Sequence, residues 1–185
     1  GLEQYTAGKT EIADWTIEDF ETILTALKES NSKVSPLGLY AKNNQGDTWN
    51  MMYLRMFGST FFADNGELNV NEKEGVEALD FLKKLNDEKL VTPGAESLSS
   101  SDVNAMFQNQ QVGISFANAV LYEGMLDTMA NGSLEEFDAR LANIPGKNQP
   151  LSFTYVLGSG VFNTNGNERM ALAQDFVKFY SENED

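Results

Sequence analysis

Hydrophobic residues recur at spacings of three and four in several segments of the chain, a pattern typical of amphipathic helices. The first such segment follows Thr16, and its apolar positions are Ile17, Phe20, Ile23, Leu24 and Leu27. Thr16 is followed three residues later by Asp19, a pair that favours a capped helix start. We therefore predict a helix that begins at Ile17 and ends near Asn31.

The same spacing predicts further helices along the chain. They cover Thr48 to Phe57, a segment capped by Asn71, one or two turns from Asp102 to Gln108, Val120 to Met129, and a last helix that carries Met170, Ala173, Phe176, Val177 and Tyr180. In the segment after Asn71, the residues that share one face are Val76, Leu79, Leu82 and Leu85.

Short apolar runs between these helices predict strands. The runs are Leu37 to Ala41, Val112 to Phe116, Arg140 to Ile144, and a longer one from Phe153 to Phe162 that Gly158-Ser159-Gly160 interrupts. An Asn65-Gly66 pair between β-like flanks indicates a tight turn. Strands separated by helices predict an α/β layer fold.

The composition is that of a globular protein with an acidic surface. The chain has 185 residues, of which 41% are hydrophobic and 22% charged, and its net charge is −15. This length favours one domain or a small two-part unit. A nucleic-acid surface needs clustered basic residues, but the chain has only three arginines, which are far apart in sequence. We therefore expect no nucleic-acid partner.

Cysteine and histidine are both absent from the sequence. Their absence removes thiol nucleophiles, Ser-His-Asp catalysis and the usual zinc ligands. We predict no metal site and no cofactor. No basic-then-apolar segment opens the chain, so we expect a signal peptide to be either absent or already removed.

The segment from Met106 to Gly124 is the clearest candidate for a ligand site. Its predicted strand stops at Ala117-Asn118-Ala119, where a helix begins. Backbone N–H groups at such an elbow hold ligands in many α/β proteins. Asn118 suits a hydroxyl-rich ligand because its amide both donates and accepts. It also suits a helix N-cap, and the two roles can coexist.

Six segments in order resemble the extracellular solute-binding proteins of ABC importers, the large family that includes maltose-binding protein. The segments are "WTIEDFETILTAL", "TWNMMYLRMFGSTFF", "DNGELNVNEKEGVEALDFLKKLNDEKLV", "AMFQNQQVGISFANA", "ANIPGKNQPLSFTYVLGSGVF" and "ERMALAQDFVKFY". Together they cover roughly Ala13 to Tyr180. One departure is Asn118, which occupies the elbow where sugar binders of the family often carry Trp.

The resemblance implies an α/β fold of the type II periplasmic-binding-protein kind, with a central sheet flanked by helices. It implies that residues 13–150 are the second lobe of a two-lobe protein, and that 151–185 are the crossover strand and helix that normally pack on the missing first lobe. It further implies a sugar or oligosaccharide ligand, an ABC permease partner, and a location outside the cytoplasmic membrane, either periplasmic or lipid-anchored. A protein of this family is expected to have no enzymatic activity.

Eight residues are the candidate ligand contacts. They are Trp49, Tyr53, Asn118, Tyr122, Tyr155, Gly158, Ser159 and Gly160. The Trp49 ring can stack on the apolar face of a pyranose, although it also suits the first core position of its helix. Tyr53, one turn later, suits core or surface packing as well. The glycines allow a ligand to approach the backbone, and they equally suit a β-bulge or a hinge.

Two other functional classes stay open from the sequence. A carbohydrate-active enzyme module would need two opposed carboxylates, whereas adjacent acids such as Glu135-Glu136 point in different directions on a helix. A stand-alone interaction domain could use the acidic surface to associate with a partner.

Overall fold

A computed structural model describes residue 5 and residues 12–42, 46–152, 160–162 and 167–182, without the side chains of residues 46–49 and 167. The chain divides into two compact units, Gly1–Ser152 and Phe153–Asp185. The helices of the first unit are α1 (Ile17–Ser30), α2 (Gly46–Met56), α3 (Lys73–Asp87), α4 (Ser100–Gln108) and α5 (Ala119–Ala130). The second unit contains α6 (Asn167–Glu182).

The described strands of the first unit are short and pair two by two. They are β1 (Ile12–Ala13), β2 (Ser35–Leu37), β3 (Phe61–Phe62), β4 (Leu68–Asn69), β5 (Val112–Ile114) and β6 (Leu141–Ala142). β1 lies parallel to β6 and β2 parallel to β5, while β3 and β4 form an antiparallel hairpin. A parallel bridge between Leu37 and Val91 extends the β2–β5 pair on its other side. β2 therefore has a partner on each side, with β5 on one side and Val91 on the other.

The core of the first unit lies where α1, α2 and α3 meet β2. Its buried residues are Phe20, Leu24, Leu37, Tyr53, Met56, Phe81, Leu85, Leu90 and Val91. Burying an aliphatic or aromatic side chain contributes roughly 1.5–3 kcal/mol relative to exposure. This cluster therefore fixes the framework on which the neighbouring loops are carried.

Two helices begin with a complete capping box. The Thr16 hydroxyl oxygen accepts from the Asp19 backbone N–H at 3.0 Å, and the Asp19 carboxylate accepts from the Thr16 N–H at 3.0 Å. This confirms the predicted start of α1. Ser99 and Asp102 form the same pair at α4. Helix α4 thus begins at Ser100, two residues before the predicted start at Asp102.

The predicted cap of α3 is wrong, and only Leu82 and Leu85 of its predicted apolar face pack against the core. Glu72, not Asn71, is the N-cap, and it makes no side-chain cap bond. The residues that are buried are Gly75, Ala78, Phe81 and Leu85, whereas Val76 and Leu79 are exposed. Small residues at 75 and 78 allow close approach of neighbouring backbone, and the Phe81 ring packs 5.3 Å from that of Phe57.

The strand predicted at Leu37 to Ala41 lies earlier, at Ser35–Leu37. The Gly38 N–H still donates to the Ile114 carbonyl of β5 at 2.8 Å, and after it the backbone takes its partners from loops and side chains. The Leu39 N–H donates to the Thr92 hydroxyl at 3.0 Å, and the Ala41 N–H donates to the Ala95 carbonyl at 2.8 Å. The backbone is therefore hydrogen-bonded as far as Ala41, although the strand itself ends at Leu37.

The other predicted elements are confirmed with shorter strands or shifted ends. Strands β5 and β6 lie inside their predicted runs, α2 and α5 match within two residues, and the Asn65-Gly66 turn joins β3 to β4. The predicted run from Phe153 to Phe162 lies outside the described residues except for 160–162, which are not in a strand.

Candidate functional site

The elbow after β5 holds Asn118 as the N-cap of α5. Its side-chain oxygen accepts from the Leu121 backbone N–H at 2.9 Å. Its backbone is extended, with φ −99° and ψ 171°. The N-cap interpretation of Asn118 is confirmed. A ligand-binding role for the same residue stays a prediction.

A cavity of about 510 Å³ lies beside this elbow. Residues 112–117, residues 137–145, and Phe20, Ile23 and Leu27 of α1 line it. The remaining lining residues are Tyr5, Ala13, Trp15, Val34, Phe107 and Gln110. Ligand sites of such size are typically apolar with a few placed polar groups.

Aromatic rings line the cavity at several points. The Trp15 indole N–H donates to the Tyr5 carbonyl at 2.8 Å, and the Trp15 backbone N–H donates to the Asn143 side-chain oxygen at 3.0 Å. These two bonds fix the ring against the wall. The Phe107 and Phe137 rings meet edge to face, 5.7 Å apart.

A smaller cavity, of about 70 Å³, adjoins the first near α5. Tyr122 lines it together with Asn104 and Gln108, and Ala117 of the elbow lines both cavities. The Tyr122 hydroxyl donates to the Ala139 carbonyl at 3.5 Å, a long and therefore weak bond. Tyr122, one turn into α5, is thus half-buried beside the elbow.

Arg140 lies between the two cavities and is held by a bidentate ion pair. Its Nε and Nη2 each donate to one carboxylate oxygen of Asp138 at 2.8 Å. This hydrogen bonding raises the pKa of Arg140, and charge attraction to Asp138 acts in the same direction. Among the described residues that line the larger cavity, Asp138 is the single acid. A glycosidase needs two carboxylates across the scissile bond, so this cavity does not provide that arrangement.

Tyr53 lies in the core and lines neither cavity. Its side chain is 1% exposed, and its ring meets that of Phe116 edge to face at 5.6 Å. The described residues offer its hydroxyl no hydrogen-bond partner. Desolvation raises the pKa of this hydroxyl well above its usual value. This geometry agrees with the interpretation of Tyr53 as a packing residue. A ligand would reach the ring only after the core had opened.

Four of the other predicted contacts cannot be placed. Trp49 lies in α2, but its side chain is outside the described part of the chain, as are Tyr155, Gly158 and Ser159. Gly160 is described and exposed. Among the described residues, the structure therefore places Asn118 and Tyr122 together at the elbow, where the Tyr122 backbone N–H donates to the Asn118 carbonyl.

Sequence reasoning missed the residues that dominate the larger cavity. Trp15 stands inside one of the family-like segments, yet we treated that segment only as a helix signature. Asp138 and Arg140 are two residues apart and precede β6, and this spacing is the one signal that could have indicated a fixed ion pair. Phe107 and Phe137 carry no sequence signal that connects them.

The described residues contain no group of three or more acidic, cysteine or histidine side chains able to hold a metal ion. None of the helices in this described part is both long and apolar enough to cross a membrane.

The sequence profile described as "Bacterial extracellular solute-binding protein" matches residues 2–185. The chain belongs to the bacterial extracellular solute-binding proteins. The resemblance seen in the six sequence segments is thereby confirmed. No curated protein matches the chain.

Solved structures of similar proteins share the fold of this solute-binding protein. A sugar transporter from Arthrobacter chlorophenolicus A6 with bound laminaribiose superimposes with a TM-score of 0.58 at 22% identity, over 74% of this chain. Maltose-bound MalE3 of T. maritima gives 0.50 at 21% identity over 60% of this chain. A sugar transporter from Bacillus licheniformis in complex with stachyose gives 0.54 at 12% identity over 98%. These likenesses confirm the α/β fold of a periplasmic-binding-protein-like lobe.

The solute-binding chain is much shorter than these structures. It spans 33%, 28% and 47% of the laminaribiose-, maltose- and stachyose-bound chains, respectively. The sequence is thus consistent with part of a longer protein, which we call the parent protein.

Proposed function

We propose that the chain is the second lobe, with a returning strand and helix, of a two-lobe receptor that captures a sugar or oligosaccharide and delivers it to an ABC permease. In this proposal residues 13–150 are the second lobe, and residues 151–185 pack on the first lobe of the parent protein. The observation that carries it is the family match over nearly the whole chain.

A carbohydrate is the solute we infer. All three similar structures were solved with a di- or oligosaccharide bound. The elbow supplies groups of the right chemistry, because Asn118 has an amide and Tyr122 a hydroxyl beside an aromatic face. The acidic surface, with its net charge of −15, suits an uncharged ligand better than an anionic one.

The inferred contacts come from three places in the chain. Trp49 of α2 would stack on the sugar ring, Asn118 and Tyr122 would bind hydroxyl groups, and the segment of Tyr155, Gly158, Ser159 and Gly160 would approach the ligand with its backbone. Tyr53 would support this site from beneath, since its ring lies in the core. Binding would draw the two lobes of the parent together, the usual mechanism of closure in such receptors.

The proposed receptor works outside the cytoplasmic membrane, either free in a periplasm or held by a lipid anchor. The family is described as extracellular, which supports this location. We also propose that it has no catalytic activity, because its described cavity lacks paired carboxylates.

The test is thermal unfolding of the parent protein across mono- and oligosaccharides, with amino acids and metal ions as controls. A ligand that binds only the native state at 100 times its Kd stabilises it by about 2.7 kcal/mol. We expect one sugar class to raise the Tm and the shift to disappear in Trp49→Ala. Phe62→Ala, which removes an exposed aromatic ring of β3, is the matched control and should keep the shift. A shift with amino acids or metal ions alone would overturn the sugar assignment.

A further inference from the structure

Asparagine followed by glycine is prone to lose its side-chain amide, because glycine has no Cβ to hold its backbone nitrogen away from the asparagine side chain. The chain contains this pair three times, at Asn65-Gly66, Asn131-Gly132 and Asn165-Gly166. The third pair lies outside the described residues. Both residues of each of the other two pairs are exposed, so water and base reach them from solution.

The reaction needs only these two residues and water. The backbone nitrogen of the glycine attacks Cγ of the asparagine, so that an N–Cγ bond forms and the Cγ–Nδ2 bond breaks. The leaving amide nitrogen takes up the proton that the glycine nitrogen loses, and it departs as ammonia. Water then opens the cyclic imide at one of its two carbonyls, which gives either aspartate or isoaspartate. In isoaspartate the main chain runs through Cβ and Cγ and is one carbon longer.

The Asn65 side chain is held in the turn by Glu67. Its oxygen accepts from the Glu67 backbone N–H at 3.0 Å, which draws electron density away from Cγ, and its Nδ2 donates to the Glu67 carboxylate at 3.0 Å. The attacking nitrogen is engaged as well, because the Gly66 N–H donates to the Ala63 carbonyl at 2.8 Å. The turn must therefore open before Gly66 reaches Cγ, and the rate depends on how easily the hairpin opens.

Few contacts hold the turn end of this hairpin closed. Strands β3 and β4 have two residues each, and among the described strands they pair only with each other. A two-stranded hairpin is marginally stable on its own. The side chains of its cross-strand pair, Phe62 and Leu68, are 55% and 72% exposed. Segments with so few buried contacts open at a lower free energy than the core does.

The pair Asn131-Gly132 is a control within the same chain. The Asn131 side-chain oxygen accepts from the Ser133 N–H at 3.0 Å, and the Gly132 N–H donates to the Met129 carbonyl at 3.0 Å. These contacts match those at Asn65. However, Asn131 is the C-cap of α5, and the N–H groups of the two residues after Gly132 also donate to a carbonyl of α5 at 3.1 Å. Attack at Asn131 therefore requires fraying of a helix end as well.

We propose that Asn65 is a site of spontaneous modification, at which the weakly held turn converts to aspartate and isoaspartate while Asn131 keeps its amide longer. The new carboxylate accepts hydrogen bonds only, so it cannot replace the bond that Asn65 donates to Glu67. Isoaspartate also lengthens the turn, which disrupts the register in which Phe62 faces Leu68. The modified hairpin loses its pairing, whereas the core keeps its fold. The proposal does not depend on which solute the parent protein binds.

The first experiment incubates the 185-residue chain at neutral and mildly alkaline pH and follows the peptides of Asn65 and Asn131 by mass spectrometry. A parallel sample in urea gives the rate of each pair in the unfolded chain. Relative to its unfolded rate, Asn65 should convert several times faster than Asn131. Both rates should rise with pH, because the attacking nitrogen must lose its proton. Synthetic standards separate aspartate from isoaspartate by chromatography. Equal protection of the two asparagines, or better protection of Asn65, would overturn the proposal.

The second experiment closes the hairpin with a covalent bond. Phe62→Cys together with Leu68→Cys puts two thiols on opposite residues of a chain that has no other cysteine. Opposite residues of an antiparallel pair have the Cα separation that a disulfide requires. The oxidised form should convert Asn65 about ten times more slowly than the reduced form, because the bond constrains the open turn. The rate at Asn131 should be the same in both forms.

An Asn65 rate that oxidation leaves unchanged would contradict control of the reaction by hairpin opening. Equal slowing at Asn131 would contradict a local cause. Leu68→Gly provides the opposite change if the disulfide does not form. It removes the cross-strand side-chain pair and should accelerate conversion of Asn65 several-fold while Asn131 is unaffected. An unchanged Asn65 rate in that variant would also overturn the proposal.

Discussion

At the residue scale, the most informative side chain is Tyr53. Its ring is surrounded by the core, and the described residues give its hydroxyl no partner. A buried hydroxyl without a hydrogen bond carries a desolvation cost of roughly 1–3 kcal/mol. The position therefore combines favourable packing of the ring with an unfavourable polar atom.

Tyr53→Phe should leave the stability unchanged or increase the free energy of unfolding by about 1 kcal/mol, because it removes the unpaired oxygen and keeps the ring. Urea unfolding of the first unit within the full chain measures this. Tyr53→Ala is the comparison, since it removes the buried ring as well, and that variant should lose stability. A loss of more than 1 kcal/mol in Tyr53→Phe would mean that a bound water satisfies its hydroxyl.

Asn118 combines a structural role with a proposed binding role, and one substitution separates them. Serine is as good an N-cap as asparagine but lacks the amide. In the parent protein, Asn118→Ser should therefore keep the Tm of the unliganded state and weaken sugar binding about tenfold, which corresponds to about 1.4 kcal/mol.

Asn118→Ala is the comparison, and it should also reduce the unfolding free energy by about 1 kcal/mol through loss of the cap. Calorimetric titration and thermal unfolding give the two quantities. Unchanged sugar affinity in both variants would restrict Asn118 to its capping role.

At the scale of single elements, the start of α1 was the best predicted feature. The Thr16 and Asp19 pair fixes α1 because its four groups lie within one turn and need no tertiary partner. The buried face of α3 could not be predicted in the same way, because the pair Val76 and Leu79 and the pair Gly75 and Ala78 both satisfy helical spacing. The elements that α3 packs against decide which pair is buried. The packing of Phe81 on Phe57 favours Gly75 and Ala78. The elbow at Asn118 was predicted from local sequence, whereas the cavity wall of Trp15 and Arg140 depends on contacts more than 100 residues apart.

The two capping boxes should make stability depend on pH. The hydrogen bond from the Thr16 backbone lowers the pKa of Asp19, and the side-chain bond to Ser99 lowers that of Asp102. A lowered folded pKa gives stability that is present above the ordinary value of 3.8 and lost as the pH falls through the folded value. Urea midpoints should therefore fall on acidification below that value, and less so in the Asp19→Asn, Asp102→Asn double variant. Asp64→Asn, in the hairpin turn, is the control; equal acid sensitivity of double variant and control would refute a role for the caps.

Two helical glycines give a matched test of the packing of α3. A Cβ at Gly75 would lie 2.2 Å from the Val70 carbonyl oxygen, whereas a Cβ at Gly124 of α5 meets nothing within 4 Å. Gly75→Ala should destabilise by roughly 1–3 kcal/mol through overpacking. Gly124→Ala should stabilise by about 0.5–1 kcal/mol through helix propensity. Denaturant unfolding checks both, and the same sign for the two changes would contradict the α3 packing.

At the scale of the whole molecule, the chain spans 33%, 28% and 47% of the three similar structures, and its second unit exposes apolar side chains. Helix α6 of the second unit exposes Leu172, Phe176 and Tyr180, each at least 65% accessible. Contiguous exposed apolar surface of this kind commonly marks an interface. In the first unit, a cavity of about 510 Å³ is lined by residues 112–117 and 137–145. The family resemblance predicts a missing first lobe from the sequence, but the cavity itself depends on contacts between segments that are distant in sequence.

The measurement that tests this account most directly is calorimetric titration of one sugar into the parent protein and into the 185-residue chain under identical conditions. The sugar is the one that raises the Tm of the parent. If closure of two lobes provides the affinity, the parent should bind it and the chain alone should bind with millimolar affinity or not measurably. A Kd for the isolated chain equal to that of the parent would contradict the account, because the site would then be complete within these residues.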